Sequence, residues 1–147
     1  MKKVVICANI NDEFINAVHK ISHITQLKGA EVHLVHCMKN EPYLYDFPTA
    51  FYPTEEQREG IKSSIEEILD NQKTIISKES DVGSFQVKVL LSASPGEKIV
   101  KYLEEIKADL VVAVTGERSG IANLFRSSFS NYLNQHAPCD VYILRDT

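Results

Sequence analysis

The length, composition and charge of the chain exclude several classes of protein. Its 147 residues are the usual length of one domain and suffice to bury roughly 70% of the unfolded surface. Hydrophobic residues make up 44% and charged residues 24%, which excludes wholesale disorder, and the net charge of −4 disfavours nucleic acid and anionic membranes as partners.

Strand-like and helix-like segments then alternate along the chain. The strands are predicted at residues 3–8, 31–37, 85–91, 109–114 and 139–144. The helices are predicted from an Asn11 cap to Gly29, over 54–80, from a Ser94 cap through Ile106, and over about 128–136. Crossover connections between such strands are right-handed in nearly all proteins, so we expect one α/β domain over 1–147, with an open five-stranded parallel sheet and helices on both faces.

Two connecting segments carry unusual composition. Residues 39–54 contain three prolines and five aromatic residues, for which packing against the long helix is favoured over a partner-binding patch or a lid: Tyr43, Tyr45, Phe47, Phe51 and Tyr52. Residues 115–127 form a loop with glycine and serine.

The cysteines and histidines indicate neither a metal site nor a catalyst. Cys7, Cys37 and Cys139 lie in or beside apolar segments without zinc-ligand spacing, which predicts free thiols in a reducing cytosol. Thiols on central strands are usually inert, so a cysteine nucleophile is disfavoured. The histidine pair at 19 and 23 is interpreted as a solvated helix face, and that at 33 and 36 as pointing to opposite faces of a strand.

Three segments resemble one known family in order and spacing. Residues 4–9 (Val-Val-Ile-Cys-Ala-Asn) and 34–37 (Leu-Val-His-Cys) are similar to the first two strands of the universal stress proteins, the UspA-like family. Residues 127–144, with His-Ala-Pro-Cys at 136–139, are similar to the family's last helix and strand. The resemblance implies a Rossmann-like fold of the adenine nucleotide alpha hydrolase-like type and a cytoplasmic, usually homodimeric, stress-response protein.

The resemblance also implies a test for nucleotide binding. One branch of the family binds ATP or AMP, with an aspartate after strand one and a loop of Gly, two residues, Gly, nine residues, Gly and Ser or Thr. This chain has Asn9 in place of the aspartate. The three glycine positions hold Val114, Glu117 and Ser127, and Ser128 alone fits. We therefore expect a non-catalytic protein of the branch without the ATP motif.

Two alternatives remain open. Gly116 and Gly120, with Arg118, Ser127 and Ser128, offer a shifted loop for an anion, which would make the protein an ATP- or AMP-binding sensor or weak ATPase. Another small ligand is the second alternative. For any of these, parallel sheets bind ligands at the carboxyl ends of their strands, which here carry Ala8, Asn9 and Cys37.

The last strand predicts self-association. Its residues Val141, Tyr142, Ile143 and Leu144 contain neither proline nor an inward charge to discourage edge pairing. We expect a homodimer with these strands paired across a two-fold axis, and a protein partner for the dimer is a further possibility.

Overall fold

The structure of the protein is a computed structural model that describes residues 1–12, 14–39, 55–115 and 121–145, except for the side chains of 121–128. The strands are β1 (Lys3–Cys7), β2 (Glu31–Lys39), β3 (Ser84–Ser92), β4 (Leu110–Thr115) and β5 (Asp140–Arg145). The helices are α1 (Phe14–Ser22), α2 (Glu55–Glu79), α3 (Pro95–Ile106) and α4 (Ile121–His136), with a 3₁₀ turn at Thr25–Leu27.

The five strands form one parallel sheet in the order β3-β2-β1-β4-β5. The predicted α/β fold with a five-stranded parallel sheet is confirmed. The strand order reverses at β1, which lies between β2 and β4. Such a reversal leaves a crevice at the carboxyl edge of the sheet, because the crossovers on either side run to opposite faces.

Both faces of the sheet are covered. One apolar cluster joins β1, β2 and β4 to α1 and α2, with Phe14, Ile21 and Leu69 fully or nearly fully buried. A second cluster joins the opposite face to α3 and α4 through Leu103 and Leu133, both of which are fully buried. The apolar runs of the central strands follow from this burial on two sides.

The first helix is shorter than predicted. Asn11 caps it as expected, because its Oδ1 accepts the Phe14 N–H at 3.0 Å. The helix nevertheless ends at Ser22, whose hydroxyl donates to the Val18 carbonyl, and a 3₁₀ turn follows it. The apolar residues after Ser22 recur every three residues, which suits a 3₁₀ turn as well as an α-helix.

Helix α2 buries most of the apolar face that its sequence predicts. Of the residues expected on that face, Ile65, Leu69 and Ile76 are buried, whereas Ile61 and Ile68 are among the exposed hydrophobic residues. The buried face also includes the polar side chain of Gln72, between Leu69 and Ile76. The buried positions recur at intervals of three and four residues, which is the spacing of one helix face.

The residue that caps the carboxyl end of helix α3 has a backbone conformation that is unfavourable for any residue with a side chain. Lys107 has a φ of +57° and lies in the left-handed region, where its N–H contacts the Glu104 and Leu103 carbonyls. At the other end, Ser94 precedes Pro95 as predicted, but its side chain makes no capping hydrogen bond.

We predict that Lys107→Gly stabilises the protein by about 0.5–1 kcal/mol, because glycine adopts positive φ without the steric cost of a β-carbon. Urea unfolding gives the measurement. The control is Lys101→Gly, at an exposed interior position of α3, which we expect to destabilise by about 1 kcal/mol. A loss of stability in Lys107→Gly would contradict the strain at this helix end.

Candidate functional site

The candidate site lies where β1 ends before its neighbours. Pairing of β1 with β4 stops at Ile6↔Val112, and pairing with β2 stops at Cys7↔Val35. A cleft of about 270 Å³ opens beyond this point. The described residues that line it are Cys7, Ala8, Asn9, Phe14, Val35, His36, Cys37, Pro95, Ile99, Val114 and Phe129.

The hydrogen-bond ladder between β1 and β2 is interrupted at the cleft. In a parallel pair, every second residue of one strand sends both its N–H and its C=O to the other. The Val35 carbonyl accepts the Ala8 N–H at 2.7 Å, so Cys37 is the next residue of β2 that faces β1. A continued ladder would pair Cys37 with the Ala8 carbonyl and the Ile10 N–H.

The Ala8 carbonyl and the Ile10 N–H form hydrogen bonds with side chains instead. His36 Nδ1 donates to the Ala8 carbonyl at 2.9 Å, and the Ile10 N–H donates to Asn9 Oδ1 at 2.9 Å. Within the described part of the chain, the main-chain N–H and C=O of Cys37 therefore have no partner on the β1 side. Cys37 thus presents one main-chain hydrogen-bond donor and one acceptor to the cleft.

Asn9 is held in place from a distant helix. Gln72 Nε2, on α2, donates to the Asn9 carbonyl at 2.9 Å. Gln72 is only 5% exposed, and its Oε1 has no hydrogen-bond partner among the described residues. Since Asn9 Oδ1 is engaged by the Ile10 N–H, the Nδ2 group of Asn9 is the part of its side chain that remains to contact a ligand.

His36 is neutral at pH 7 in this environment. Burial lowers its pKa below the ordinary 6.5, and the hydrogen bond to the Ala8 carbonyl only partly offsets this. Because a carbonyl is an acceptor, Nδ1 carries the proton and Nε2 is an acceptor. The described residues lining the cleft include no lysine or arginine.

The two cleft thiols are poor nucleophiles. Burial raises the pKa of Cys7 from 9.0 to about 12, with smaller contributions from Cys139 and Cys37. Burial likewise raises the pKa of Cys37 to about 11, although Lys98 opposes the shift. Both thiols are protonated at neutral pH, and all three cysteines are free. These observations do not support a cysteine nucleophile, because the thiolate is the reactive form.

We predict that native Cys7 and Cys37 resist alkylation by iodoacetamide at pH 7.5 and that denatured protein reacts readily, which peptide mass spectrometry can measure. Because both pKa values are raised on folding, their contribution to stability is complete below pH 9 and is lost as the pH rises through about 11–12. Rapid labelling of Cys37 in folded protein at pH 7.5 would contradict the assigned environment.

The structure places the predicted binding residues in two groups. Ala8, Asn9 and Cys37 come together at the cleft. Gly116, Arg118 and Gly120 lie outside the described residues, as does the aromatic segment between 40 and 54.

The predicted start of the last helix is wrong. Ser127 and Ser128 lie inside α4, which begins at Ile121. Residues 121–127 contain neither glycine nor proline, so nothing in them interrupts a helix. Because only the first four N–H groups of a helix are free, the amides of these two serines are not the free donors expected of a helix start.

Sequence reasoning missed two residues that shape the cleft, His36 and Gln72. His36 was considered only as a metal ligand. For Gln72 a signal existed, because it is polar and occupies the spacing of the apolar stripe on α2. Neither hydrogen-bond partner is visible from sequence, because each lies on a different element.

His19 and His33 have structural partners. His33 is buried on β2 and contacts Tyr102 Oη at 2.7 Å and Glu31 Oε2 at 2.8 Å. The hydrogen bond with His33 lowers the pKa of Glu31. His19 contacts Glu79 of α2 at 2.8 Å. Among the described side chains, no group of three or more His, Cys, Asp or Glu residues is arranged to hold a metal ion.

Strand β5 lies at the edge of the sheet and pairs with β4 alone. Tyr142 is 38% exposed and Ile143 42%, while Val141 and Leu144 pack against the two apolar clusters. The backbone on the outer side of β5 has no strand beside it in the described chain. No described helix has the length and hydropathy needed to cross a membrane.

Comparison with known proteins decides the family. The sequence model of the universal stress protein family matches residues 1–145. The chain belongs to the universal stress protein family. Universal stress protein MJ0531 of Methanocaldococcus jannaschii is 24% identical to it over 147 residues, which are 98% of this chain and 82% of the relative.

Solved structures of the family share the fold. A universal stress protein in complex with cAMP is 18% identical, with a TM-score of 0.69 over 99% of this chain and 98% of the other. One from Archaeoglobus fulgidus in complex with dAMP is 21% identical, with a TM-score of 0.60 over 97% and 96% of the two chains. The fold is therefore Rossmann-like, of the adenine nucleotide alpha hydrolase-like type.

Proposed function

We propose that this universal stress protein is a non-catalytic, dimeric stress-response protein that does not use the family's glycine loop to hold ATP. The observation that carries the proposal is Val114, which lines the cleft at the position that the family resemblance gives to the loop's first glycine. A glycine there would let main-chain N–H groups approach phosphate oxygens closely, whereas an isopropyl group keeps them apart.

The chemistry of the cleft wall supports the same proposal. Ile99, Val114 and Phe129 are apolar, and the neutral His36 adds no positive charge. A triphosphate carries several negative charges, which require cations or a row of free N–H groups in their place. The start of α4 at Ile121 moves its free amides away from Ser127 and Ser128.

Dimerisation is proposed through the outer edge of β5. Antiparallel pairing of two copies of this strand would satisfy open backbone groups and cover Tyr142 and Ile143. We propose that the dimer binds another protein. We place it in the cytoplasm, where its free thiols would remain reduced.

We predict that Ile143→Lys converts the dimer to a monomer, because a lysine at the pairing edge leaves a charge in the interface. Sedimentation velocity at tens of micromolar gives the measurement. Ile15→Lys is the matched control, since Ile15 on α1 is also 42% exposed, and we expect it to remain dimeric. A monomeric unmodified protein under these conditions would refute the dimer.

Binding of an adenine nucleotide through its base is the second candidate function. Cys37 presents a main-chain donor and acceptor side by side, and Asn9 adds an amide donor. A purine edge with adjacent N–H and ring nitrogen complements such a pair. The cAMP and dAMP complexes of related structures favour this candidate over other small ligands.

Calorimetry with adenosine, AMP and ATP–Mg²⁺ distinguishes the candidates. If the cleft holds the base alone, we expect adenosine and AMP to bind within about threefold of one another, with no gain for ATP. If the loop holds phosphates, ATP binds at least about tenfold more tightly than adenosine, and Arg118→Ala or Ser128→Ala removes the difference. The second result would overturn the main proposal, and native mass spectrometry would report any other retained ligand.

A further inference from the structure

We infer that His36 is a positioning residue that occupies the Ala8 carbonyl in place of the Cys37 N–H and so reserves that N–H for a ligand. The inference rests on the proposed use of the cleft as a binding site. It adds a cause for the open ladder, namely a side chain that takes the place of a main-chain donor.

The first step concerns the Ala8 carbonyl. Ala8 directly follows β1 and still contacts β2, because its N–H donates to the Val35 carbonyl. The regular donor to this carbonyl is the Cys37 N–H. His36 Nδ1 lies 2.9 Å from the same oxygen and replaces that donor.

The second step concerns the adjacent residue. The Ile10 N–H, which the regular ladder would direct to the Cys37 carbonyl, donates to Asn9 Oδ1 instead. Gln72 of α2 donates to the Asn9 carbonyl between them. The Ala8 carbonyl and the Ile10 N–H are thus both engaged by side chains, so neither main-chain group of Cys37 has a partner among the described residues on this side.

The third step is the alternative arrangement. Without a donor at position 36, the Ala8 carbonyl would be left beside Cys37 with no partner, and an unpaired buried carbonyl is unfavourable. Closure of the ladder by the Cys37 N–H satisfies both groups at once. That closure would remove the donor from the cleft and narrow its floor.

Two nearly isosteric variants test this role. His36→Asn keeps an N–H donor near the position of Nδ1, whereas His36→Leu has a similar size and no donor. Amide hydrogen exchange followed by ¹⁵N NMR measures the Cys37 N–H directly, with the Val35 N–H as an internal reference on the same strand.

We predict that the Cys37 amide exchanges at least about tenfold faster than that of Val35 in the unmodified protein and in His36→Asn. In His36→Leu we expect its exchange to slow at least about tenfold as the ladder closes. A protected Cys37 amide in the unmodified protein overturns the inference, even if His36→Leu does not fold. Unchanged Cys37 exchange in folded His36→Leu also overturns it.

A binding measurement separates this inference from the nucleotide candidate. With AMP as the probe, we expect His36→Leu to weaken binding at least about tenfold and His36→Asn to stay within about threefold of the unmodified protein. Failure of AMP to bind the unmodified protein removes the nucleotide candidate, while the exchange pattern still decides the role of His36. Tight AMP binding by His36→Leu would contradict that role.

Discussion

The short central strand β1 sets the geometry on which the site depends. It lies between β2 and β4, and its pairing with β4 ends at Ile6 and with β2 at Cys7. Among the described helices, α1 and α2 pack on one face of the sheet and α3 and α4 on the other. The cleft therefore forms where β1 leaves its neighbours unpaired, and the main-chain groups of Cys37 are part of its polar lining.

Sequence reasoning identified the sheet and the edge that carries the cleft because both depend on local patterns. Continuous apolar runs such as Val4–Ile6 mark strands buried on two faces, and Ala8, Asn9 and Cys37 follow from the rule for strand ends. The pairing of His36 with Ala8 and of Gln72 with Asn9 could not be predicted, because each joins residues distant in sequence. The predicted boundaries of α1 and α4 were wrong. The apolar spacing after Ser22 suits either an α-helix or a 3₁₀ turn, and the composition of residues 121–127 suits either a loop or a helix.

This cleft differs from a phosphate-binding site in where its free N–H groups lie. A glycine loop before a helix gathers several such groups in one place, and the helix dipole adds partial positive charge. In the described part of this chain, a free donor faces the cleft from Cys37 near the carboxyl end of β2, and Val114 of β4 also lines the cleft. One donor beside one acceptor suits a neutral planar group better than a dense anion, whichever ligand the protein binds.

Replacing the Cys37 N–H by the His36 imidazole as the donor to the Ala8 carbonyl changes the free energy little. One side chain can therefore decide which of the two arrangements forms. Each hydrogen bond contributes about 1 kcal/mol net, and the Ala8 carbonyl has a partner in either arrangement. Burial lowers the pKa of His36, so its contribution to stability is present above pH 6.5 and is lost as the pH falls through its folded value. Protonation would nevertheless leave the Nδ1–H donor in place. A fall in pH would therefore convert Nε2 from acceptor to donor, while Nδ1 continues to occupy the Ala8 carbonyl.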